Sequence, residues 1–282
     1  MRYGYVCGLV LAALTAAIPA YANDWSKVYP LTGRPALRLD ANDGSINLVS
    51  ADLKEIQVRI TSEGWQIGKD VQVTENQNGN SVEIQVRVPE FHWQLFNLGR
   101  RSLRIELRVP READLDLHTG DGNVDLQAVS GRIRVDTGDG GITSHDLKGE
   151  IWIHSGDGRI EGSGFDGALD ADTGDGSILV RGRFDALQLK SGDGTIDATA
   201  EVGSRVSNGW SIRTGDGTIR LRLPQDFNAD LDAHTGDGRI QLDLPVTVSG
   251  SFGKSSIKGR LAAGGGSLLV RTGDGPIYLE RL

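Results

Sequence analysis

Five aspartates recur at a fixed spacing of 18 residues and supply the carboxylates that a calcium site would need. Each stands third in a Thr/Ser-Gly-Asp-Gly motif. Calcium prefers oxygen ligands, and calcium-binding β-rolls repeat the pattern G-G-x-G-x-D-x-U-x. The order here is T-G-D-G-x-I on a longer unit, so a calcium-stabilised β-roll is an alternative interpretation only. The candidate calcium ligands are Asp121, Asp139, Asp157, Asp175 and Asp193.

The same motif has a structural interpretation, which we favour. Glycine on each side of the aspartate can supply a positive φ and lets two backbones approach closely at a sharp corner. The carboxylate and the preceding hydroxyl can accept hydrogen bonds from nearby backbone N–H groups. Further copies at Thr214, Thr235 and Thr272 show that the motif is repeated along the chain. A turn of one kind that is made many times indicates a scaffold.

Histidine and aspartate alternate at the position just before the Thr or Ser of each motif. Stacked in register, these side chains would form a row in which opposite charges face each other across strands. A zinc site made of His118, Asp136 and His154 is the sharper hypothesis. The two histidines would lie two strands apart, about 9.6 Å, which is wide for zinc–nitrogen bonds of about 2.0–2.1 Å. The row contains His118, Asp136, His154, Asp172 and Lys190.

Aromatic residues suggest two possible contact surfaces. Trp152 falls on an outward position beside Arg134 and Asp170, where it could stack on a sugar or on a partner protein. The segment 90–98 interrupts two strands with large apolar side chains, among them Phe91, Trp93 and Phe96. It is interpreted as a hydrophobic plug, with an exposed patch that contacts a partner or a membrane as the alternative.

The sequence gives little support to catalysis. It contains no G-x-S-x-G and no H-E-x-x-H motif, and the Gly-Asp-Gly turns precede strand patterns, whereas phosphate-binding loops precede helices. The aspartates repeat identically, whereas an active site is a single asymmetric place. We therefore predict a protein that is not an enzyme and has no cofactor. A glycan-active β-helix enzyme remains the alternative.

Apolar residues alternate with polar residues on both sides of each motif, as expected for strands with one buried and one solvated face. The constant spacing predicts an all-β fold, a parallel β-solenoid or β-helix with two-strand rungs of about 18 residues. Equal repeat lengths keep stacked strands in register. An antiparallel β meander is the alternative architecture, since Asp-Gly is also a common hairpin turn.

Three regions follow from this pattern. Residues 1–22 are expected to be a signal peptide, residues 23–110 an N-terminal β region that caps the stack, and residues 111–282 the repeat solenoid. Residues 77–80, Gln-Asn-Gly-Asn, predict a hairpin. The long interval between Thr235 and Thr272 is interpreted as one degenerate rung with loop insertions.

The first residues and the charge indicate export. An apolar run ends in Ala20-Tyr21-Ala22, a cleavage site before Asn23, and Cys7 in that run is the chain's single cysteine. The mature chain is expected in the periplasm, at the cell surface or secreted, without disulfides and without a membrane span. The net charge of −8 and the lack of a basic cluster argue against nucleic acid as a partner.

Beyond residue 22 the chain resembles the bacterial putative-adhesin family of β-strand-repeat domains of unknown function, which is related to GIN-type autotransporter-head adhesins. The resemblance is carried by residues 39–46, by Arg108-Val109-Pro110, by the serial Thr/Ser-Gly-Asp-Gly-x-Ile repeats and by residues 270–277. It implies an exported, non-enzymatic β-solenoid. We therefore expect an adhesin-like binding or scaffold module of the cell envelope, with an envelope protein or glycan as its partner.

Overall fold

The computed structural model describes residues 23–88 and 101–282. Within these ranges the chain forms 23 β-strands and no helix, so the all-β prediction is confirmed. The expected signal peptide and the aromatic residues Phe91, Trp93 and Phe96 lie outside the described residues. Nothing in the structure tests the division of the chain at residue 110.

The strands are numbered in chain order. The first twelve are β1 (Asp24–Pro30), β2 (Ala36–Ala41), β3 (Ser45–Ala51), β4 (Glu55–Glu63), β5 (Gln72–Asn78), β6 (Ser81–Arg87), β7 (Ser102–Pro110), β8 (Asp114–Thr119), β9 (Val124–Gln127), β10 (Ser130–Thr137), β11 (Ile142–His145) and β12 (Lys148–Ser155). The remaining strands are β13 (Ile160–Thr173), β14 (Ile178–Ser191), β15 (Ile196–Ala200), β16 (Trp210–Arg213), β17 (Ile219–Leu223), β18 (Ala229–Thr235), β19 (Ile240–Leu242), β20 (Val246–Phe252), β21 (Ser256–Leu261), β22 (Ser267–Thr272) and β23 (Ile277–Arg281).

Hydrogen bonding arranges these strands in two ladders. Ladder A holds the strands that precede the Gly-Asp-Gly turns and ladder B holds those that follow them. The long strands β13 and β14 contribute one half to each ladder. Ladder A runs β5-β6-β2-β8-β10-β12-β13-β14-β16-β22-β18-β21-β20. Ladder B runs β1-β4-β7-β3-β9-β11-β13-β14-β15-β17-β23-β19.

Pairing within the repeats is parallel and links residues 18 positions apart. Ile133 pairs with Leu115 on one side and with Ile151 on the other. The antiparallel meander is therefore wrong for the repeats, because each strand pairs with its own copy in the next repeat. Antiparallel pairs lie towards the borders of the ladders, and they include the hairpin predicted at residues 77–80, between β5 and β6. At the outer border of ladder B, β1 is antiparallel to β4.

The core lies between the two ladders. Every second residue of the repeat strands points inward and is buried, as the alternation predicts. Leu, Ile and Val fill most of these positions. Aromatic rings fill one stretch, where Phe165, Phe184, Trp210 and Phe227 form a chain with neighbouring ring centroids 4.9–6.2 Å apart. Burial of this continuous apolar surface stabilises the stack at about 25 cal/mol per Å².

Stacking order departs from chain order at two places. β2 and β3 lie between the pair β6/β7 and the pair β8/β9. Likewise β22 and β23 lie between the pair β16/β17 and the pair β18/β19. The prediction of one degenerate rung after Thr235 is therefore wrong. β21 instead pairs antiparallel with β18, and β20 pairs antiparallel with β21. The chain then returns to an interior position with β22 and β23.

The Thr/Ser hydroxyls and the glycines connect successive turns. Thr137 Oγ1 donates to the carbonyl oxygen of Gly122 at 2.9 Å, and Thr173 Oγ1 donates to that of Gly158 at 2.9 Å. The same bond follows the stacking order, and not the chain order, where β22 lies between β16 and β18. Thr272 donates to the carbonyl oxygen of Gly217, and Thr235 donates to that of Gly275. These side chains are buried. The hydroxyl row therefore fixes the register of the turns.

The motif glycines are required by close approach. A Cβ added at Gly140 would overlap the carbonyl oxygen of Gly122 on the previous strand pair, and Gly158 stands in the same relation to Gly140. The predicted positive φ is wrong for these glycines, because none of them has one. Positive φ occurs instead in the second turn of the repeats, for example 111° at Gly149.

We predict that Gly140→Ala lowers the free energy of unfolding by about 2 kcal/mol or more, because neither backbone can move aside without breaking the ladder. Gly141→Ala is the matched control, since its added Cβ would meet atoms no closer than 3.5 Å and Gly141 has no positive φ. Denaturant unfolding of the two variants measures the difference. Equal stabilities would contradict the close-approach argument.

Candidate functional site on the outer face of ladder A

Two adjacent rows of side chains cover the outer face of ladder A beside the turns. The first, which we call the histidine row, precedes each Thr or Ser. The second, the tryptophan row, lies two residues earlier on each strand. In stacking order the histidine row contains Asp40, His118, Asp136, His154, Asp172, Lys190 and Arg213. The tryptophan row contains Arg38, Asp116, Arg134, Trp152, Asp170, Gln188 and Ser211.

Opposite charges pair along most of these rows. His118 Nδ1 lies 3.2 Å from Asp136 Oδ1, and Lys190 Nζ lies 3.4 Å from Asp172 Oδ2. In the tryptophan row Arg38 Nε lies 3.8 Å from Asp116 Oδ2. These are exposed cross-strand pairs, each worth a few tenths of a kcal/mol to about 1 kcal/mol. They agree with the interpretation of the histidine row as a device that matches charge across strands.

Trp152 interrupts this pattern. Its residue surface is 40% exposed, and it is the one aromatic residue among the exposed large hydrophobic residues of ranges 23–88, 101–247 and 253–282, where the structure describes the side chains. It lies in a shallow open depression of ladder A. The structure thus brings Trp152, Asp136 and His154 together, as their positions in the repeat predict. The polar and aromatic residues that line the depression are Arg134, Asp136, Trp152, His154, Asp170 and Asp172.

The polar groups nearest to Trp152 lack partners. Arg134 and Asp170 pair in register with Trp152 from either side, yet neither forms a hydrogen bond or an ion pair within the described part of the chain. His154 likewise has none there, because its neighbours Asp136 and Asp172 are held by His118 and Lys190. The depression therefore presents a free cation, a free carboxylate and a free imidazole around one indole ring.

The environment of Asp170 disfavours its charge. Although much of the residue surface is exposed, neighbouring atoms partly desolvate the carboxyl group, and this raises the pKa of Asp170 above its ordinary value. The negative charge of Asp172 raises it further. No donor compensates for the lost hydration. A poorly hydrated carboxylate without a partner can readily accept a hydrogen bond from a bound ligand.

Metal binding is not visible in the geometry. In the described ranges no group of three or more His, Cys, Asp or Glu side chains is placed to hold a metal ion. His118 and His154 are two strands apart, with Asp136 between them. A zinc ion at these three residues remains a hypothesis without a preformed cluster.

The five candidate calcium ligands are exposed along one edge of the stack, together with the aspartates of the later turns. The expected hydrogen bonds from backbone N–H groups to these five carboxylates are not formed within the described residues, so this part of the turn prediction is wrong for them. Such a bond occurs at the turn between β2 and β3, where Gly44 N donates to Asp43 Oδ1 at 2.6 Å. The hydroxyls take that role instead, as where Gly158 N donates to Ser155 Oγ at 2.9 Å. We call this edge the aspartate ridge, and it consists of Asp121, Asp139, Asp157, Asp175, Asp193, Asp216, Asp237 and Asp274.

Sequence reasoning does not single out Arg134 and Asp170 as site residues. The signal that identifies them is the register, since both stand 18 positions from Trp152. Sequence reasoning also misses a charged network on the outer face of ladder B. There Arg222 bridges Asp197 at 2.7 Å and Glu280 at 3.3 Å, and Arg220 lies over the Tyr278 ring. Irregular spacing in this part of the chain conceals those contacts.

The fold and this outer face define a repeat protein of two mostly parallel β-ladders with an exposed aromatic site. Its sequence places it in a known family. Residues 35–280 match the Toastrack family DUF4097, so the chain belongs to that family. No curated protein matches the chain. The part of the chain that the structure describes contains no helix long and apolar enough to cross a membrane.

Several solved structures match most of the chain at low sequence identity. A putative lipid binding protein from Parabacteroides distasonis is 14% identical, with 91% of this chain and 96% of that chain covered and a TM-score of 0.48. A putative adhesin from Bacteroides fragilis is 12% identical, covers 92% and 97%, and has a TM-score of 0.42. A putative cell adhesion protein from Clostridium sporogenes is 12% identical, covers 92% and 99%, and has a TM-score of 0.33.

The aspartate ridge predicts a salt-dependent stability. Like charges about 4.8 Å apart repel one another. Raising NaCl from 0.01 M to 0.15 M shortens the screening length from about 30 Å to about 8 Å and is therefore expected to raise Tm. Asp157→Asn should raise Tm in low salt only. Asp243→Asn, an exposed change away from the ridge, is the control.

Calcium at the same ionic strength separates screening from specific binding. We expect CaCl₂ and NaCl to raise Tm equally, because no ligand cluster is preformed. A rise that only calcium produces and EDTA reverses would support the calcium-stabilised β-roll instead.

The raised pKa of Asp170 predicts a variant that is more stable than the parent protein. The folded pKa lies above the unfolded value of about 3.9, so the stability contributed by protonation is present below that value and is lost as pH rises through the folded pKa. Asp170→Asn should therefore raise Tm at pH 7, and the gain should disappear below about pH 4. Gln127→Asn, an exposed change in β9 that removes no charge, is the control. A less stable Asp170→Asn at pH 7 would reveal a stabilising partner of the carboxylate.

Proposed function

We propose that the chain is an exported, non-enzymatic binding module of the bacterial cell envelope. In this proposal the two ladders form a β-solenoid with two-strand rungs of about 18 residues, and antiparallel strands cap its borders. The observation that carries the proposal is the outer face of ladder A, where Trp152 is exposed among Arg134, His154 and Asp170, which have no described partner. Elsewhere in these rows Arg38 pairs with Asp116, His118 with Asp136 and Lys190 with Asp172.

Stability considerations support a binding role for this face. An exposed indole and an uncompensated carboxylate contribute little to folding, and the raised pKa of Asp170 marks a small loss of stability at neutral pH. Groups that are unfavourable in the free protein are typical of sites whose contacts are completed by a ligand. The expected signal peptide at residues 1–22 supports export to the envelope. The relation to GIN-type adhesins remains a prediction from the sequence.

Glycan hydrolysis is the second candidate function, and the carboxylates of the depression favour it. Glycosidases use two carboxyl groups, one of which acts as an acid with a raised pKa. Here Asp170 has such a pKa and Asp172 lies near it. The depression is shallow and open, however, so it offers no enclosure from which water is excluded. We therefore favour binding, and release of shorter saccharides by the purified protein would reverse that preference.

Fractionation and sedimentation test the proposed function. The proposal predicts that the protein isolated from its host begins at Asn23 and is found outside the cytoplasm. It also predicts that purified protein added to envelope fragments sediments with them, whereas protein alone remains in the supernatant. An intact N-terminus on protein found in the cytoplasm, or no association with any envelope fraction, would overturn the proposal.

A further inference from the structure

We propose that the Trp152 depression binds a neutral glycan, with one pyranose ring stacked on the indole and its hydroxyls bonded by Arg134 and Asp170. This inference rests on the proposed binding function and names the ligand class of the same surface. It depends on three observations, namely the exposure of Trp152, the lack of partners of its polar neighbours and the balance of charge among them.

The indole ring supplies a flat apolar surface that is available from solvent. Single exposed aromatic residues are common and need no function by themselves. Trp152 differs because it is 40% exposed and lines an open depression together with its row neighbours Arg134 and Asp170. A pyranose ring has an apolar C–H face and a polar rim. Stacking that face on tryptophan buries apolar surface of both partners at about 25 cal/mol per Å².

The groups on either side of Trp152 fit the polar rim of such a ring. In ladder A, Arg134 lies one strand before Trp152 and Asp170 one strand after it, each about 4.8 Å away along the stack. A guanidinium donates hydrogen bonds only and a carboxylate accepts them only, whereas a hydroxyl does both. Sugar hydroxyls at the two sides of the ring can therefore satisfy both groups. Such charge-assisted bonds are stronger than neutral ones.

Charge balance selects a neutral ligand. The positive Arg134 and the negative Asp170 offset each other, and Lys190 offsets Asp172, whereas His118 offsets the charge of Asp136 only when its imidazole is protonated. An anionic polymer or lipid headgroup would meet three carboxylates in the depression. A quaternary cation is typically held by a cage of several aromatic rings, and here one ring is present among the lining residues. Neutral hydroxyl-bearing ligands meet neither obstacle.

The open shape indicates recognition of an internal unit of a glycan chain. The depression is open, and the histidine and tryptophan rows continue in both directions along the stack. A chain can thus enter and leave without steric conflict. His154, between Asp136 and Asp172 in register, adds a further hydrogen-bonding group beside the ring.

A glycan array tests the inference with the full mature chain. The array presents oligosaccharides of neutral hexoses and of N-acetylhexosamines beside uronic-acid and sulfated oligosaccharides. We expect binding to neutral members, a loss of about tenfold or more with Trp152→Ala, and partial retention with Trp152→Tyr. Arg134→Ala and Asp170→Asn should each weaken binding about tenfold or more, in keeping with loss of one charge-assisted bond. Val202→Ala, which changes a 75% exposed residue outside ladder A, is the control.

Each possible result of the glycan array either supports the inference or overturns it. Binding to no member, binding only to anionic members, or binding that Trp152→Ala leaves unchanged would overturn it. Tm measurements establish that the variants are folded, and Trp152→Tyr serves as the test variant if Trp152→Ala is not. Envelope association that persists in Trp152→Ala would overturn the glycan site and leave the binding module intact. Absence of envelope association by the parent protein would count against the module itself.

Discussion

The structure depends on the close stacking of its glycine turns. At each Gly-Asp-Gly corner the backbone of one strand pair lies against that of the next without room for a Cβ, and a Thr or Ser hydroxyl bonds across the step. This contact keeps every repeat at the same height, so that inward residues stack on inward residues. Only glycine fits the gap between successive turns, and this fixes the parallel register. The continuous apolar core and the straight outer rows follow from that register.

Once the inner face is committed to packing, the outer face is free to vary. Most of ladder A uses that freedom to match charge between neighbouring strands, which favours one register and disfavours slips. At Trp152 the matching stops, and Arg134 and Asp170 are left without partners in the described chain. The residues that repeat and the residues that depart from the repeat thus have separate roles. The repeated residues hold the strands together, and the site lies where one strand departs from its copies.

Much of the architecture could be predicted from the sequence, because alternation and spacing report directly on which residues face the core. The parallel pairing of Leu115, Ile133 and Ile151 is an example. The position of β22 between β16 and β18 could not be predicted. Any strand of the repeat can pair with any other, so the local sequence pattern does not reveal the order in which the strands stack. The φ angles at the turns were also missed, because glycine signals both positive φ and close approach. The partnerless state of Arg134 depends on side-chain geometry that spacing does not contain.

The interior position of β22 and β23 has a consequence for how the molecule is made. Synthesis produces β18 and β19 before β22 and β23, yet the earlier pair lies outside the later one. The surface on which β18 docks is therefore completed only by residues translated after it. Folding cannot proceed by adding one repeat after another up to this border. The final strands must insert between strands that were made earlier, which delays completion of the fold until translation has passed β23.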